Sequence, residues 1–213
     1  MQVTLFGATG YTGRNLVSEL LDRGHSVVAV SRSGASDLAE GVRVVAGDIQ
    51  DAAVVDDATP GSQAILVAVP PPDEHGNRLV DALPALLEAA ESEGARLGFV
   101  GNTGSLSREP GGPRIVDEPD FNPAWRPGSI ALSEVLDALR DSGTSVDWFF
   151  LSPPLGYGSY APGERKGEYR VGGDELVVDA EGVSFISGPD LATAIVDELE
   201  KPTHRRVRFT VGY

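Results

Sequence analysis

Apolar residues recur along this chain in two rhythms. Short consecutive runs, QVTLF (2–6), HSVVAVSRS (25–33), VRVVAGD (42–48), QAILVAVPPP (63–72), ARLGFVGNTGS (95–105) and SVDWFFL (145–151), read as buried strands. Between them the spacing turns helical. Leu16, Val17, Leu20 and Leu21 share one face of 12–23, which Gly24 closes, and Leu79, Val80, Leu83, Leu86 and Leu87 mark a helix over roughly 76–93. Strands alternating with helices predict an α/β fold of Rossmann type: a doubly wound, mainly parallel sheet with right-handed crossovers and helices on both faces.

The second half is less regular. Residues 104–128 hold Gly, Pro, Asp and Glu without a sustained period, as a long loop does. A helix over 129–142 and the strand at 145–151 restore the pattern. Residues 152–187 then read as loop and short hairpin strands, turning at Gly172-Gly173. A helix from Pro189 and Asp190 to 199 and a last strand over 205–212 complete the chain. One domain spanning 1–213 is expected, with 104–128 and 152–187 as substrate-side loops and a small C-terminal substrate-side extension.

Composition narrows the chemistry. Among 213 residues there are no cysteines, so disulfides and thiolate metal ligands are excluded, and the three histidines are scattered without metal-ligand spacing. The 32 acidic against 17 basic residues give a net charge of −15, which repels phosphate backbones and argues against nucleic-acid binding. No apolar run reaches the length of a membrane span, and the chain enters its first strand without a basic-then-apolar leader. A cytoplasmic protein is expected, monomeric or homodimeric, whose partner is a small-molecule electron acceptor.

The stretch GATGYTGR (7–14) carries the clearest chemistry. Gly7, Gly10 and Gly13 lie between the first strand and an amphipathic helix, where the helix's unpaired N–H groups and positive dipole end can hold a pyrophosphate. The spacing is G-x-x-G-x-x-G rather than G-x-G-x-x-G, so the strand–turn–helix context carries the inference. Ser31-Arg32-Ser33 ends the second strand with no carboxylate before Asp37. An acid there would favour NAD; Arg32, with Arg14 in reach, favours the additional phosphate of NADP. Asp48 and Ile49 end the third strand, either to contact adenine or, for Asp48, to cap the helix after DIQD. Ala68, Val69 and Pro70 end the fourth strand on the same edge.

GATGYTGR, the serine–arginine pair, GDIQD and GNTGSL (101–106) together resemble the atypical short-chain dehydrogenase/reductase proteins with an NAD(P)H-binding domain. VDEPDF, SPP, GERKGEYRVGGDELVVDAEG, DLA-x-AI-x-DELE and FTVGY extend the resemblance to the NADH–flavin reductase group, related to biliverdin-IXβ/flavin reductases and NmrA-type proteins. The resemblance implies that Thr9, Tyr11 and Thr12 join the glycines at the cofactor, and that Pro153 and Pro154 cover the nicotinamide. Asn102 is implied either on the ribose or as a loop-orienting group. Thr103 and Ser105 stand where related reductases place a hydroxyl near substrate, or serve the loop turn.

Two departures matter. Leu155 replaces the histidine that follows the proline pair in biliverdin-type reductases, which argues against tetrapyrrole reduction. None of the five tyrosines has lysine four residues later, so the Tyr-x-x-x-Lys pair that exchanges a proton with alcohols and carbonyls is missing. Hydride transfer to an electron-poor flavin or quinone needs mainly orientation, and the proton can come from solvent. The expectation is an NADPH-dependent reductase with flavin (FMN, FAD or riboflavin) as an exchangeable substrate, walled by Pro70–Pro72, GNTGSL, Trp125 and SPPLGY (152–157). The alternative is an NmrA-like NADP sensor without turnover.

Overall fold

Alternate residues of β1 (Gln2–Phe6) face opposite sides of a sheet, and both sides are buried. Val3 and Leu5 join one apolar cluster and Phe6 the other, while buried Thr4 donates to the Ala58 carbonyl at 2.7 Å. A strand buried on both faces is what a parallel sheet covered by two helical layers requires. The computed structural model describes residues 1–34, 38–70 and 78–213.

The strands that follow are β2 (Ser26–Ser31), β3 (Arg43–Ala46), β4 (Ala64–Val67), β5 (Arg96–Val100), β6 (Trp148–Ser152), β7 (Arg170–Gly172) and β8 (Val207–Gly212). They form one eight-stranded sheet in the order β3-β2-β1-β4-β5-β6-β8-β7, parallel except where β7 meets β8. Helices α1 (Tyr11–Asp22) and α5 (Gly188–Glu200) cover one face, with Leu16, Leu20, Leu191 and Ile195 packed against Leu66, Phe149 and Phe209. Helices α2 (Ala52–Ala58), α3 (Leu83–Glu93) and α4 (Arg126–Asp141) cover the other, around Phe99, Phe150 and Leu136. This is the Rossmann-type α/β arrangement that the periodicity predicts. Strand order reverses between β1 and β4, so a crevice opens beyond their carboxyl ends. Among the described residues no helix is long and apolar enough to cross a membrane.

Several boundaries move for identifiable reasons. The fourth strand, expected to be stopped by the prolines at 70–72, already ends at Val67, and Pro71 and Pro72 lie outside the described residues. The helix expected from 76 is a single 3-10 turn at Leu79–Ala82 followed by α3; residues 76 and 77 are outside the described part. Pro84 explains the break, because its ring removes an N–H and crowds the carbonyl four residues earlier. The stretch 95–105, expected as a strand running into a loop, is a strand to Val100, after which the loop turns through 3-10 residues Thr103–Ser105. Helix α4 begins three residues before 129 because Pro127 suits a helix's first turn. No hairpin forms at Gly172-Gly173. Asp174 is gripped by Arg208, and its carbonyl accepts from the Ser107 N–H at 2.9 Å, so the chain is drawn across to the 104–128 loop and β7 pairs with β8 instead.

Candidate functional site

The turn leaving β1 is built of close backbone approaches. Gly7 sits at φ +86°, where L side chains are strained, and a Cβ there would lie 2.5 Å from the Ala68 carbonyl oxygen. At Gly13 a Cβ would lie 2.1 Å from the Gly7 oxygen, so this glycine lets α1 rest directly on the turn. Gly10 caps α1 without any side-chain hydrogen bond, leaving the helix's first N–H groups for a ligand.

Beside this turn lies a cavity of about 280 Å³. Its walls include Gly7, Thr9, Ser31, Arg32, Asp48 and Ile49, drawn from the ends of three neighbouring strands. The Ser31 hydroxyl is buried and has no hydrogen-bond partner among the described residues. Such an orphan costs about 1–3 kcal/mol unless a ligand satisfies it. Asp48 accepts from the Gln50 N–H at 3.0 Å, whereas Asp51 caps α2 by accepting from Ala53. The capping alternative for Asp48 therefore belongs to Asp51.

A second cavity, about 890 Å³, continues from the first across Gly10, Val69 and Pro70, which line both. Its floor is the end of β5 with Gly101, Asn102 and Thr103, and its far walls come from the loops at 104–128 and 153–160. Most of the lining is apolar; among the described residues Arg108, Glu118 and Asp120 are its charged members, with the Arg108 Nε donating to Glu118 at 2.9 Å. Two joined chambers at a strand-order reversal, one narrow with a phosphate cradle and one wide and apolar, match the shape of a dinucleotide site with room for a further molecule.

Residues 7–202 match the family described as NAD(P)H-binding. The chain belongs to that family. A Bacillus subtilis relative of uncharacterised function, YwnB, is 32% identical over 99% of this chain and 98% of its own length. A Streptomyces protein named 3-diazoavenalumate denitrifying reductase is 34% identical over 84% of this chain, which spans 62% of that protein. Among solved structures, a Streptococcus pneumoniae protein provisionally described as an NADH–flavin reductase superposes with a TM-score of 0.81 at 28% identity, covering 100% of this chain and 99% of that one. A Bacteroides thetaiotaomicron protein provisionally described as an epimerase superposes with a TM-score of 0.85 at 33% identity, covering 100% and 96%.

For this NAD(P)H-binding chain, the residues singled out in the sequence fall into three groups. Gly7, Thr9, Gly10, Ser31, Arg32, Asp48, Ile49, Val69 and Pro70 line the small cavity. Gly10, Tyr11, Thr12, Ala68, Asn102, Thr103, Pro153 and Pro154 line the large one, together with Trp125. Gly13, Arg14 and Ser105 line neither. Gly13 acts through backbone packing, and the Arg14 Nε donates to the Thr9 carbonyl at 3.0 Å, inside the glycine turn. Ser105 is buried beneath the loop, 2.9 Å from the Ser152 hydroxyl, and its carbonyl accepts from Arg208.

Thr103 faces the cavity, but its hydroxyl is within hydrogen-bond distance of the Pro154 carbonyl (2.8 Å) and the Pro153 carbonyl (3.0 Å). It fastens the proline loop to the end of β5. Tyr157 closes the loop's other end, with its hydroxyl 2.7 Å from that of Thr12. Burial pushes the Tyr157 phenol far above its ordinary range, so it stays protonated. Burial also raises Tyr11, whose hydroxyl donates to the Pro162 carbonyl at 3.0 Å. Neither lysine lines either cavity; Lys166 instead places its ammonium 3.8 Å from the centre of the Tyr213 ring. Tyr11 and Tyr157 are thus both raised by burial, and no lysine lines the cavity beside them.

Sequence reasoning missed Arg108, Glu118, Phe121 and Tyr160 as wall residues. The irregular stretch at 104–128 and the Gly-Tyr-Gly-x-Tyr run at 156–160 were the available signals, but neither shows where a loop folds back.

Proposed function

We propose that this protein is a cytoplasmic NADPH-dependent reductase whose acceptor is a flat, electron-poor molecule, a free flavin or a quinone. The observation that carries the reading is the junction of the two cavities: a phosphate cradle opens directly into a wide, mainly apolar chamber in which, among the described residues, no lysine stands beside a tyrosine. Gly7 and Gly10 with the N–H groups of α1 would hold the pyrophosphate, Ser31 and Arg32 the phosphate that distinguishes NADP, and Asp48 with Ile49 the adenine. When bound, the nicotinamide supplies a hydride.

The chain's own contribution is position. Thr103 and Tyr157 hold the Pro153-Pro154 loop as a fixed wall. The mainly apolar lining leaves room for a planar acceptor beside the transfer face. With no lysine lining the chamber and the Tyr11 and Tyr157 phenols raised by burial, an alcohol or unactivated carbonyl would lack its proton partner, whereas a reduced flavin or quinone takes its proton from solvent. The reductase names carried by the Streptomyces and Streptococcus proteins support this reading.

The test is NADPH oxidation, followed by nicotinamide absorbance, with FMN, FAD, riboflavin and a quinone. Saturable turnover with at least one is expected. No turnover with any acceptor, together with tight and equal binding of NADP⁺ and NADPH, would overturn the reductase reading and favour a redox sensor of the NmrA type.

A further inference from the structure

At the mouth of the large cavity two big aromatic rings lie in water. Trp125 is 57% exposed and Tyr160 65% exposed, yet both line the chamber. They face each other with ring centroids 6.1 Å apart and planes inclined by 24°, a stacked arrangement. The rings come from separate segments, Trp125 from the residue preceding α4 and Tyr160 from the loop after β6.

Both are anchored through their backbones rather than by burial. The Trp125 N–H donates to the Asn122 carbonyl at 3.1 Å, and its own carbonyl accepts from Ser129 at 3.0 Å. Tyr160 rides a tight turn in which the Ala161 N–H donates to the Gly158 carbonyl at 2.9 Å, and its hydroxyl donates to the Leu155 carbonyl at 2.9 Å. Gly158 has φ +141°, and a Cβ there would stand 2.8 Å from the Tyr160 ring. One edge of the ring thus rests close to the bare backbone of Gly158. Phe121, capped by the Arg126 guanidinium at 5.5 Å, continues the aromatic surface into the wall. Aromatic faces held in place but left wet at a cavity mouth are suited to stacking on a ligand.

We propose that Trp125 and Tyr160 are the acceptor-selecting residues: a planar aromatic ring stacks on them, and a puckered molecule of equal size does not. The proposal deepens the reductase reading, from which it takes only the word acceptor; the stacking itself is tested by binding. The pair positions the acceptor and takes no part in proton or hydride transfer.

The chain has two tryptophans, and Trp148 is buried in β6, so Trp148→Phe leaves Trp125 as the sole indole. With NADP⁺ bound, 1,4-naphthoquinone or riboflavin should quench Trp125 fluorescence saturably. Decahydronaphthalene-1,4-dione, which carries the same carbonyls on puckered rings, should neither quench nor compete. Tyr160→Ala should weaken quinone binding by about five- to tenfold, whereas Tyr160→Phe, which keeps the ring, should stay within about twofold. NADP⁺ affinity, measured by calorimetry, should not change. Should Trp148→Phe fail to fold, the same contrast is read with Trp148 in place as a rise in KM for the flat quinone at unchanged kcat.

Non-saturable quenching, an equal response to the puckered dione, or loss of NADP⁺ affinity in Tyr160→Ala would each overturn the proposal. Saturable quenching without NADPH oxidation would uphold it while removing the reductase reading. Oxidation without the ring preference would do the reverse.

Discussion

Around the small cavity the chain presents mainly backbone: glycines that admit close contacts, a helix end without a side-chain cap, and the last residues of three strands. Around the large cavity it presents side chains from two loops, fastened by single hydroxyls and topped by two exposed rings. Backbone geometry tolerates almost no substitution and suits a cofactor whose shape never varies. Loop side chains can be exchanged one at a time without disturbing the sheet that carries them. The same sheet thus carries a rigid seat and an adjustable chamber, meeting at Gly10, Val69 and Pro70.

The largest effect should come from forcing apart the glycine turn beside the small cavity. Gly13→Val places carbon atoms where the Gly7 oxygen already sits. Overpacking of this kind costs about 1–3 kcal/mol in stability and should lower NADP⁺ affinity by about 100-fold, read by thermal unfolding and calorimetry. An affinity within twofold of the original would show that the turn is not the seat.

A control lies away from both cavities. Glu198 is buried and accepts from the Arg96 Nη2 at 2.6 Å, the Thr203 hydroxyl at 2.7 Å and the His204 N–H at 2.9 Å. Burial alone would raise its pKa, but these bonds outweigh it and hold the carboxyl at about 2, against an ordinary 4.5. Its folded pKa is depressed, so its stabilisation is complete above about 4.5 and is lost as pH falls towards 2. Glu198→Gln should cost on the order of 3 kcal/mol at neutral pH and flatten the acid limb of a denaturation series. It should leave the ratio of cofactor to acceptor affinity unchanged. A selective loss at one end would mean the two ends are coupled through the sheet.

Arg32→Ala sharpens the seat itself. NADPH binding should weaken by about tenfold while NADH binding changes less than about twofold, because only the former carries the additional phosphate. Equal affinity for both cofactors before and after the change would remove Arg32 from the assignment.

The smallest effect should be at the chamber. Thr103→Val removes the hydroxyl that reaches the Pro153 and Pro154 carbonyls. One such bond is worth about 1 kcal/mol, so the KM for acceptor should rise by about three- to fivefold, with NADP⁺ affinity within twofold. A large fall in kcat with unchanged KM would instead assign Thr103 to the chemistry.

The two ends also differed in how far the sequence revealed them. Gly7, Gly10 and Gly13 were legible as three glycines within seven residues, a compositional mark that the positive φ of Gly7 and the forbidden Cβ positions of Gly7 and Gly13 explain at those two positions. Arg32, Asp48 and Pro70 followed from the rule that ligands gather at strand carboxyl ends. The chamber depends on contacts across long sequence separations, such as Thr12 to Tyr157 or Trp125 to Tyr160, and no local period encodes them. Ser105 illustrates the limit. It shares a loop with Thr103, yet the 3-10 turn sends its hydroxyl down to Ser152 instead of into the cavity. The missing tyrosine–lysine pair, being an absence in the sequence itself, was legible without any structure.

The account stands most directly on a crystal structure of the protein with NADP⁺ and riboflavin bound together. It predicts the ribose phosphate of NADP⁺ beside Ser31 and Arg32, and the flat ring system of riboflavin in the larger cavity against Trp125 and Tyr160. A phosphate bound away from Arg32, or riboflavin seated outside that cavity, would contradict it.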